Sequence, residues 1–201
     1  MQAMFPINPA HDITALILAG GKARRLGGQD KGLIQLANRP LIEHVLDKLR
    51  PQTGTIMINA NRHQDRYRQY GYPVIADSLP DFAGPLAGLL TGLENMTTEW
   101  LVTVPCDNPH LPDRLVQTLV ETANQQECLL TVASCKERLQ PVYCLLHRSL
   151  QSPLADFLVA NKHKAQDWVK EQDYCMVEFD NADAFENINT PEQLAEAEKH
   201  P

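Results

Sequence analysis

The stretch "ITALILAGGKARRLGGQDKGL", Ile13 to Leu33, joins an apolar run to a loop rich in glycine and basic residues. The run over 13–19 is continuous and rich in branched side chains, which predicts a central strand buried on both faces. The loop after it holds five of the ten glycines of the chain and four cations: Lys22, Arg24, Arg25 and Lys31. Glycines there let backbone N–H groups approach phosphate oxygens, and the cations can neutralise the charge. We therefore expect a strand followed by a binding loop for a small anion.

The composition supports an anionic ligand of small size. The chain has 201 residues, a formal net charge of -7 and a pI near 5.4. A nucleic-acid binder would normally carry a broad basic face, so one basic loop on an acidic body argues against nucleic acid. No apolar run reaches the roughly 20 residues of a membrane span, and we expect no membrane association. The length predicts a single domain over 1–201, with 1–11 as a disordered lead-in.

Cysteine usage bears on the compartment and on disulfide bonding. The number of cysteines is odd and no C-x-x-C pair occurs, which argues against a disulfide framework and a structural zinc site. We therefore expect a cytoplasmic protein in which most of the cysteines are small core residues. The five are Cys106, Cys128, Cys135, Cys144 and Cys175.

Short apolar runs alternate with amphipathic stretches along the chain, which is typical of βαβ units. The pattern predicts a three-layer α/β/α, Rossmann-like fold with a mostly parallel sheet. Strands are expected over 13–19, 55–60, 73–77, 100–107, 128–134, 141–147 and 174–179, and helices over 40–50, 85–96 and 113–124. Thr190, Pro191 and Gln193 form a capping-box pattern that predicts the start of a final helix.

Two familiar phosphate loops are absent from the glycine-rich stretch. A Walker A loop needs G-x-x-x-x-G-K-[ST] and a dinucleotide loop needs G-x-G-x-x-G, and neither occurs here. A P-loop NTPase and a Rossmann dehydrogenase are therefore disfavoured. A tight surface turn with solvated cations remains the alternative to a binding loop. Elsewhere in the sequence, no histidine pair at helical spacing and no Ser/His/Asp pattern suggests other chemistry.

Asp107 is the strongest single candidate for a functional side chain. It follows a buried strand, where a rigid carboxylate suits Mg²⁺ bound together with substrate phosphates. The alternative is a local cap for the "DNPHLPD" segment, since aspartate accepts hydrogen bonds from nearby backbone amides. Asn59 and Asp77 lie at the ends of predicted strands, and each could be either a ligand or a satisfied turn residue.

Five sequence blocks together resemble one enzyme family. The order Leu18-Ala19-Gly20-Gly21, then Arg25, Gly28 and Lys31, resembles nucleotidyltransferases that activate a phosphate with an NTP, above all the molybdenum cofactor guanylyltransferases. The blocks are "ILAGGKARRLGGQDKGL", "INANRH", "IADSLPDFAGPLAGLLTGL", "VPCDNPHLP" and "NINTPEQL". A lone L-A-G-G is weak evidence, whereas five blocks in one order across nearly the whole chain are strong.

The resemblance implies a nucleotide-diphospho-sugar transferase-like fold and a specific reaction. The enzyme would use GTP and Mg²⁺ to attach GMP to molybdopterin or its molybdenum complex, releasing pyrophosphate. A cytidylyltransferase of the same family, acting on this cofactor or another phosphate, is the alternative enzyme, although Gly21 favours the guanylyl branch. A non-catalytic nucleotide-binding regulator is the alternative from another class. The family also implies transient contacts with other molybdenum-cofactor biosynthesis proteins, and we expect a monomer.

The resemblance also implies roles for individual residues. The catalytic residues would be Arg25, Lys31 and Asp107, and Asp107 would be the metal ligand. The GTP-binding residues would be Leu18, Ala19, Gly20, Gly21, Lys31, Asn59, Asp77 and Asp107. Asn187 and Asn189 would lie on the pterin side, with Asn189 a candidate second metal ligand. Gly84 and Gly88 could form a wall for the guanine. The basic run Lys162, His163 and Lys164 could bind the pterin phosphate or could be a solvated helix face.

Overall fold

A computed structural model describes residues 5–21, 29–79 and 84–199. The main sheet contains β1 (Ile13–Leu18), β4 (Thr55–Asn59), β5 (Val74–Ile75), β6 (Trp100–Pro105), β7 (Leu130–Cys135), β8 (Arg138–His147) and β9 (Cys175–Glu178). Two further strands, β2 (Gln35–Leu36) and β3 (Arg39–Pro40), form a small hairpin. The helices are α1 (Leu41–Leu49), α2 (Gln64–Arg68), α3 (Pro85–Asn95), α4 (Leu115–Gln126), α5 (Gln151–Val159), α6 (Ala165–Lys170) and α7 (Pro191–Ala197).

The seven-stranded sheet has the order β5-β4-β1-β6-β8-β7-β9. β1 pairs in parallel with both β4 and β6, and β7 pairs in parallel with β9. Only β8 runs in the opposite direction, because it is antiparallel to both β6 and β7. The prediction of a mostly parallel sheet is confirmed.

Helices cover both faces of this sheet, as the three-layer prediction requires. On one face, α1 and α4 bury Val45, Leu49 and Leu119 in the larger apolar cluster. On the other face, α3, α5 and α6 bury Leu89 and Trp168 in a second cluster. Central strands buried on both faces read as continuous apolar runs, which explains why β1 and β6 could be predicted. Among the described residues, no helix combines the length and the apolar character needed to cross a bilayer.

The short or amphipathic elements differ from the sequence prediction. The β2–β3 hairpin, α2, α5 and α6 were not expected, and the fifth strand is limited to Val74–Ile75. Two-residue strands give no alternation to detect, and a five-residue helix spans little more than one turn. The capping box before α7 is confirmed, since Thr190 and Gln193 exchange the expected hydrogen bonds.

The cysteine prediction needs a correction. Cys128 and Cys175 form a disulfide, with their Cα atoms 6.3 Å apart, although no disulfide was expected. The two lie 47 residues apart in sequence, so no short spacing motif announces them. They meet because β7 and β9 are adjacent parallel strands, with Thr131 in register with Cys175. The other three cysteines are free and buried, as expected.

The N-terminal segment packs on the domain from Phe5 onward. Ile7 is 5% exposed, and its amide donates to Asn124 Oδ1 at 2.9 Å. The ring of Phe5 lies 5.8 Å from that of Trp100. The predicted lead-in over 1–11 therefore includes residues that contact the core.

Candidate active site

Three neighbouring strands end together at one edge of the sheet. Leu18, the last residue of β1, is in register with Asn59 on β4 and Pro105 on β6. Beyond the strand ends, the amide of Ala19 donates to the Asn59 carbonyl at 2.8 Å, and the Cys106 amide donates to the Leu18 carbonyl at 3.1 Å. In open α/β sheets, this carboxyl edge is where ligands bind. Three of the sequence blocks therefore meet at one crevice.

Lys31 connects two of the predicted site residues. It opens a single turn of 3-10 helix, Lys31–Leu33, after the glycine-rich loop. Its Nζ donates to Asp107 Oδ2 at 2.7 Å and also to Asn189 Oδ1. Asp107 is only 5% exposed, so this ion pair lies at the floor of the crevice. The structure thus brings together a cation, a carboxylate and a carboxamide that lie far apart in sequence.

A buried hydrogen-bond network holds the Asn187–Thr190 segment against the end of β6. The Asn108 side-chain amide donates to Tyr143 Oη and to the Ala184 carbonyl, each at 2.7 Å. Tyr143 Oη in turn donates to Asn187 Oδ1 at 2.8 Å. Burial raises the pKa of Tyr143 well above its ordinary value, so the hydroxyl stays a donor. The side-chain oxygen of Asn187 is therefore hydrogen-bonded to Tyr143. Of the two predicted asparagines, Asn189 is the one that contacts Lys31.

Backbone contacts and the cap of α7 complete the placement of Asn189. The Ile188 amide donates to the Asp107 carbonyl at 2.9 Å, which ties the two segments directly. The Asn189 amide donates to Gln193 Oε1 at 2.8 Å, within the capping box. The cap therefore both starts the helix and orients the residue that meets Lys31.

A second cluster surrounds Asp77. Asn59, 2% exposed, donates its amide to Asp77 Oδ1 at 2.8 Å. Asn61 donates to Asp77 Oδ2 at 2.7 Å and accepts from the Asp77 backbone amide at 2.8 Å. The two predicted nucleotide-binding residues are thus in contact, and Asn61 fixes the carboxylate from the other side. Asn61 was not singled out from the sequence, although it lies in the "INANRH" block.

Two glycines allow the main chain to approach this cluster. A Cβ atom at Gly88 of α3 would lie 2.6 Å from Asn59 Oδ1 and 2.7 Å from Leu18 Cδ2. A Cβ atom at Gly20 would lie 3.0 Å from Asn61 Nδ2. Larger residues at these positions would displace Asn59 and Asn61. The α3 helix therefore packs directly behind the crevice.

Several predicted residues lie apart from these contacts or outside the described ranges. Arg25, predicted as catalytic, and the neighbouring cations Lys22 and Arg24 lie outside the described residues. Gly21 is exposed, and its carbonyl accepts from Arg62 Nη2 at 3.4 Å. Lys162 pairs with Glu171 at 2.9 Å and lies over the Phe157 ring. The run over 162–164 is exposed but lies in the loop between α5 and α6, so it is not part of a helix face.

Cys106 lies next to Asp107 but is not reactive in this environment. Its side chain is buried, and burial together with the Asp107 and Asp30 carboxylates raises the pKa of the thiol well above its ordinary value. The thiolate is the nucleophilic form, so a thiol held protonated is inert. Cys106 therefore acts as a small core residue, as expected.

The donors at the crevice floor suit a hard divalent cation. Mg²⁺ is usually held by one or two carboxylates together with substrate phosphates and water. Asp107 and Asn189 offer a carboxylate and a carboxamide oxygen that already share one cationic partner, Lys31. No cluster of three or more His, Cys, Asp or Glu side chains occurs in the described part of the chain. Asp107 and Asn189 therefore fit a cation that is held together with a bound substrate.

Sequence comparison identifies a family and close relatives. The model of the MobA-like NTP transferase domain matches residues 15–175. A molybdenum cofactor guanylyltransferase from Shewanella halifaxensis is 46% identical over 182 residues, which is 90% of this chain and 91% of the relative. A molybdenum cofactor guanylyltransferase from Polynucleobacter asymbioticus is 47% identical over 187 residues, covering 91% of this chain and 94% of the relative.

Structural comparison supports the same fold. Molybdopterin-guanine dinucleotide biosynthesis protein A from Archaeoglobus fulgidus superposes with a TM-score of 0.78. The match covers 93% of this chain and 97% of that protein, at 22% sequence identity. At this identity the likeness concerns the fold, and it agrees with the predicted nucleotide-diphospho-sugar transferase-like architecture.

Proposed function

This chain belongs to the MobA-like NTP transferase family, and on that premise we propose that it is a molybdenum cofactor guanylyltransferase. It transfers GMP from GTP to molybdopterin, or to its molybdenum complex, and releases pyrophosphate. The observation that carries the proposal is the contact of Lys31 with Asp107 and Asn189 at the carboxyl edge of the sheet. Identity of 46% to a guanylyltransferase over nine-tenths of both chains supports the choice of substrates.

The reaction requires little covalent help from the protein. A phosphate oxygen of molybdopterin attacks the α-phosphorus of GTP, a new P–O bond forms, and the bond to pyrophosphate breaks. Such transfers depend on positioning the reactants and on stabilising the charge that develops on the phosphates. The chain must therefore hold two anionic substrates in line and place cations around the leaving group.

Lys31 and the glycine-rich loop supply positive charge and backbone donors. Lys31 lies within reach of the crevice floor, 21% exposed along its side chain, and can turn its ammonium toward a phosphate. The amides of Gly20 and Gly21 follow the end of β1, and neither glycine has a side chain of its own to hold a phosphate away from its amide. Arg25 would add a second cation, on the evidence of the sequence alone.

Asp107 and Asn189 are the residues that would hold Mg²⁺. The ion, when bound with the nucleotide, neutralises phosphate charge and orients the leaving group. Asp107 is rigid because it follows a buried strand and its neighbour Asn108 is fully enclosed. Asn189 is held by the capping box, so both oxygens keep their positions as substrates enter.

We propose that Asp77 contacts the base of the nucleotide, where its carboxylate would favour guanine. Its carboxylate only accepts hydrogen bonds, and each oxygen keeps lone pairs beyond the one that Asn59 or Asn61 uses. Guanine presents neighbouring donors at N1 and at its amino group, which complement such a carboxylate. Cytosine presents an acceptor at N3, which would face the same carboxylate unfavourably. The cytidylyltransferase alternative is therefore the weaker one.

The remaining features of the proposal follow from the sequence. They are a single nucleotidyltransferase domain, a monomer, a cytoplasmic location and transient contacts with other molybdenum-cofactor biosynthesis proteins. The Cys128–Cys175 disulfide removes part of the support that cysteine usage gave to the cytoplasm.

Incubation of the purified protein with molybdopterin, Mg²⁺ and a single nucleotide tests the proposal. GTP, CTP, ATP and UTP are offered separately, pyrophosphate is measured, and the product is identified by mass. We expect release with GTP and a product that carries GMP. Release with CTP in its place would assign the cytidylyl branch, and no release with any nucleotide would favour a regulator.

A further inference from the structure

Asp30 is a buried carboxylate that the proposed reaction does not use. Asp30 and Asp107 are the two acidic residues that are buried among the described ranges, each 5% exposed. Asp107 has an ammonium partner, whereas Asp30 is bonded to a phenol and an imidazole. Burying a carboxylate is costly unless its oxygens are hydrogen-bonded. A residue of this kind directly before Lys31 therefore needs an explanation.

The principal partner of Asp30 is Tyr67, on α2. Tyr67 is fully buried, and its hydroxyl donates a short hydrogen bond to Asp30 Oδ1. Burial, with smaller contributions from Cys106 and Asp30, raises the pKa of Tyr67 far above its ordinary value. The phenol therefore remains protonated and remains a donor to the carboxylate.

His63 binds the other oxygen of Asp30. Its Nδ1 lies 3.3 Å from Asp30 Oδ2, and its backbone has the left-handed conformation with φ 47°. A residue other than glycine rarely adopts this conformation, and it persists where surrounding contacts hold it. His63 follows the Asn59–Asn61 segment, so Asp30 is tied to the same strand end that carries the Asp77 cluster.

The turn that carries Lys31 rests directly on this pair. The Asp30 carbonyl accepts from the Leu33 amide at 3.0 Å and thereby closes the turn. A Cβ atom at Gly32 would lie 2.6 Å from Tyr67 Oη and 3.3 Å from Cys106 Cβ. The backbone of the turn is therefore in contact with the phenol on one side, while Lys31 reaches Asp107 on the other.

We propose that Asp30 and Tyr67 are positioning residues that hold the Lys31 turn so that the ammonium reaches Asp107. The inference rests on the proposed function, since Lys31 acts there on the phosphates. Neither residue needs to touch a substrate. Loss of the Tyr67 hydroxyl leaves Asp30 buried with one donor fewer, and the turn relaxes toward solvent, taking Lys31 with it.

The test measures the accessibility of the Lys31 amine without any substrate. Wild type, Tyr67→Phe and Asp30→Ala are treated briefly with sulfo-NHS-acetate, and acetylation of each lysine is quantified by mass spectrometry. We expect Lys31 to react about tenfold faster in both variants, the change that corresponds to the loss of one buried hydrogen bond. Lys48, an exposed lysine paired with Asp113, is the internal reference. Tyr72→Phe is the matched control, because its hydroxyl accepts from the exposed Arg50.

A kinetic cycle separates positioning from general damage. Tyr67→Phe should lower kcat with GTP about 10- to 100-fold, but it should add nothing in a Lys31→Met background, because it acts through Lys31. Unchanged Lys31 acetylation in folded Tyr67→Phe, or additive losses in the double variant, would overturn the inference. If wild type transfers no nucleotide but Lys31 acetylation still rises, the proposed function fails and the positioning role stands.

Discussion

Lys31 is the residue on which the proposed chemistry depends most directly. Its ammonium lies between Asp107 and Asn189, where phosphate charge would develop. Removing one preorganised charged donor from an active site typically costs about 10² to 10³ in rate. We therefore expect Lys31→Met to lower kcat by about that factor, as measured by pyrophosphate release with GTP.

The control for this prediction is Lys48→Met. Lys48 forms an ion pair with Asp113 at 2.7 Å, but both side chains are exposed and lie outside the crevice. Exposed pairs contribute about 0 to 1 kcal/mol, so neither stability nor turnover should change greatly. Equal activity of Lys31→Met and Lys48→Met would show that Lys31 takes no part in transfer.

His147 predicts a pH dependence of stability. Burial lowers the pKa of His147 below its ordinary value of 6.5, and the nearby Glu99 opposes that effect only in part. Below pH 6.5 the unfolded chain therefore binds more protons than the folded one, so the free energy of unfolding falls as the pH falls. His147→Asn should flatten this slope in urea titrations between pH 5 and pH 8.

The matched control for His147→Asn is His11→Asn, because the His11 side chain is exposed. It removes a histidine that lies on the surface, so it shows what the loss of a histidine outside the core does to the slope. An equal slope in His147→Asn and wild type would contradict the assignment.

At the scale of elements, the Tyr143 hydroxyl joins three parts of the fold. It accepts from Asn108 after β6 and donates to Asn187 before α7, while its own residue lies in β8. Tyr143→Phe leaves the buried amide of Asn108 and the half-buried side-chain oxygen of Asn187 each short of a partner, which costs about 1 to 3 kcal/mol. We expect that loss in the free energy of unfolding, measured by urea denaturation, and a smaller loss in Tyr72→Phe.

The elements also show what sequence can and cannot predict. The strands over 13–18 and 100–105 were predicted because burial on both faces makes them continuous apolar runs. The α2 helix was missed because it has five residues, yet it carries Tyr67. Strand order was also beyond the sequence pattern, since adjacency of β7 and β9 depends on packing of the whole domain.

The candidate site residues that could be named from the sequence are those that end or follow strands and those that lie in the sequence blocks shared with the family. Asp107 and Asn59 end or follow strands, so the carboxyl-edge rule placed them together. Lys31 was one of four candidate cations in the glycine-rich loop, and the resemblance singled it out with Arg25. Its contact with Asp107, 76 positions away, was not predicted. The Asp30–Tyr67 and Asn61–Asp77 contacts were missed because isolated polar residues carry no periodic signal, whether they lie in a loop or in a five-residue helix. Asp30 directly precedes Lys31, and Asn61 lies two positions after Asn59. This proximity to candidate residues was the only indication of the two contacts in the sequence.

At the scale of the whole molecule, the Cys128–Cys175 disulfide closes a segment of the chain that includes β7, β8, α5 and α6. A cross-link over 47 residues lowers the entropy of the unfolded chain, and native disulfides typically contribute about 2 to 4 kcal/mol. Cys128→Ser should therefore lower the free energy of unfolding by about that amount under oxidising conditions.

Reductant provides the control for the disulfide. With excess reductant, the difference in the free energy of unfolding between wild type and Cys128→Ser should largely disappear, since both proteins then lack the cross-link. Alkylation of the unreduced, denatured protein should label three cysteines: Cys106, Cys135 and Cys144. Labelling of all five would contradict the pairing.

The proposed reaction, transfer of GMP, takes place at a crevice built on Lys31 and Asp107. The most direct test compares wild type, Asp107→Ala and the exposed Asp113→Ala for GTP-dependent pyrophosphate release with molybdopterin and Mg²⁺. We predict activity in wild type and Asp113→Ala, and a loss of about 10² or more in Asp107→Ala with the fold intact. Full activity of Asp107→Ala, or release that depends on another nucleotide in place of GTP, would contradict the account.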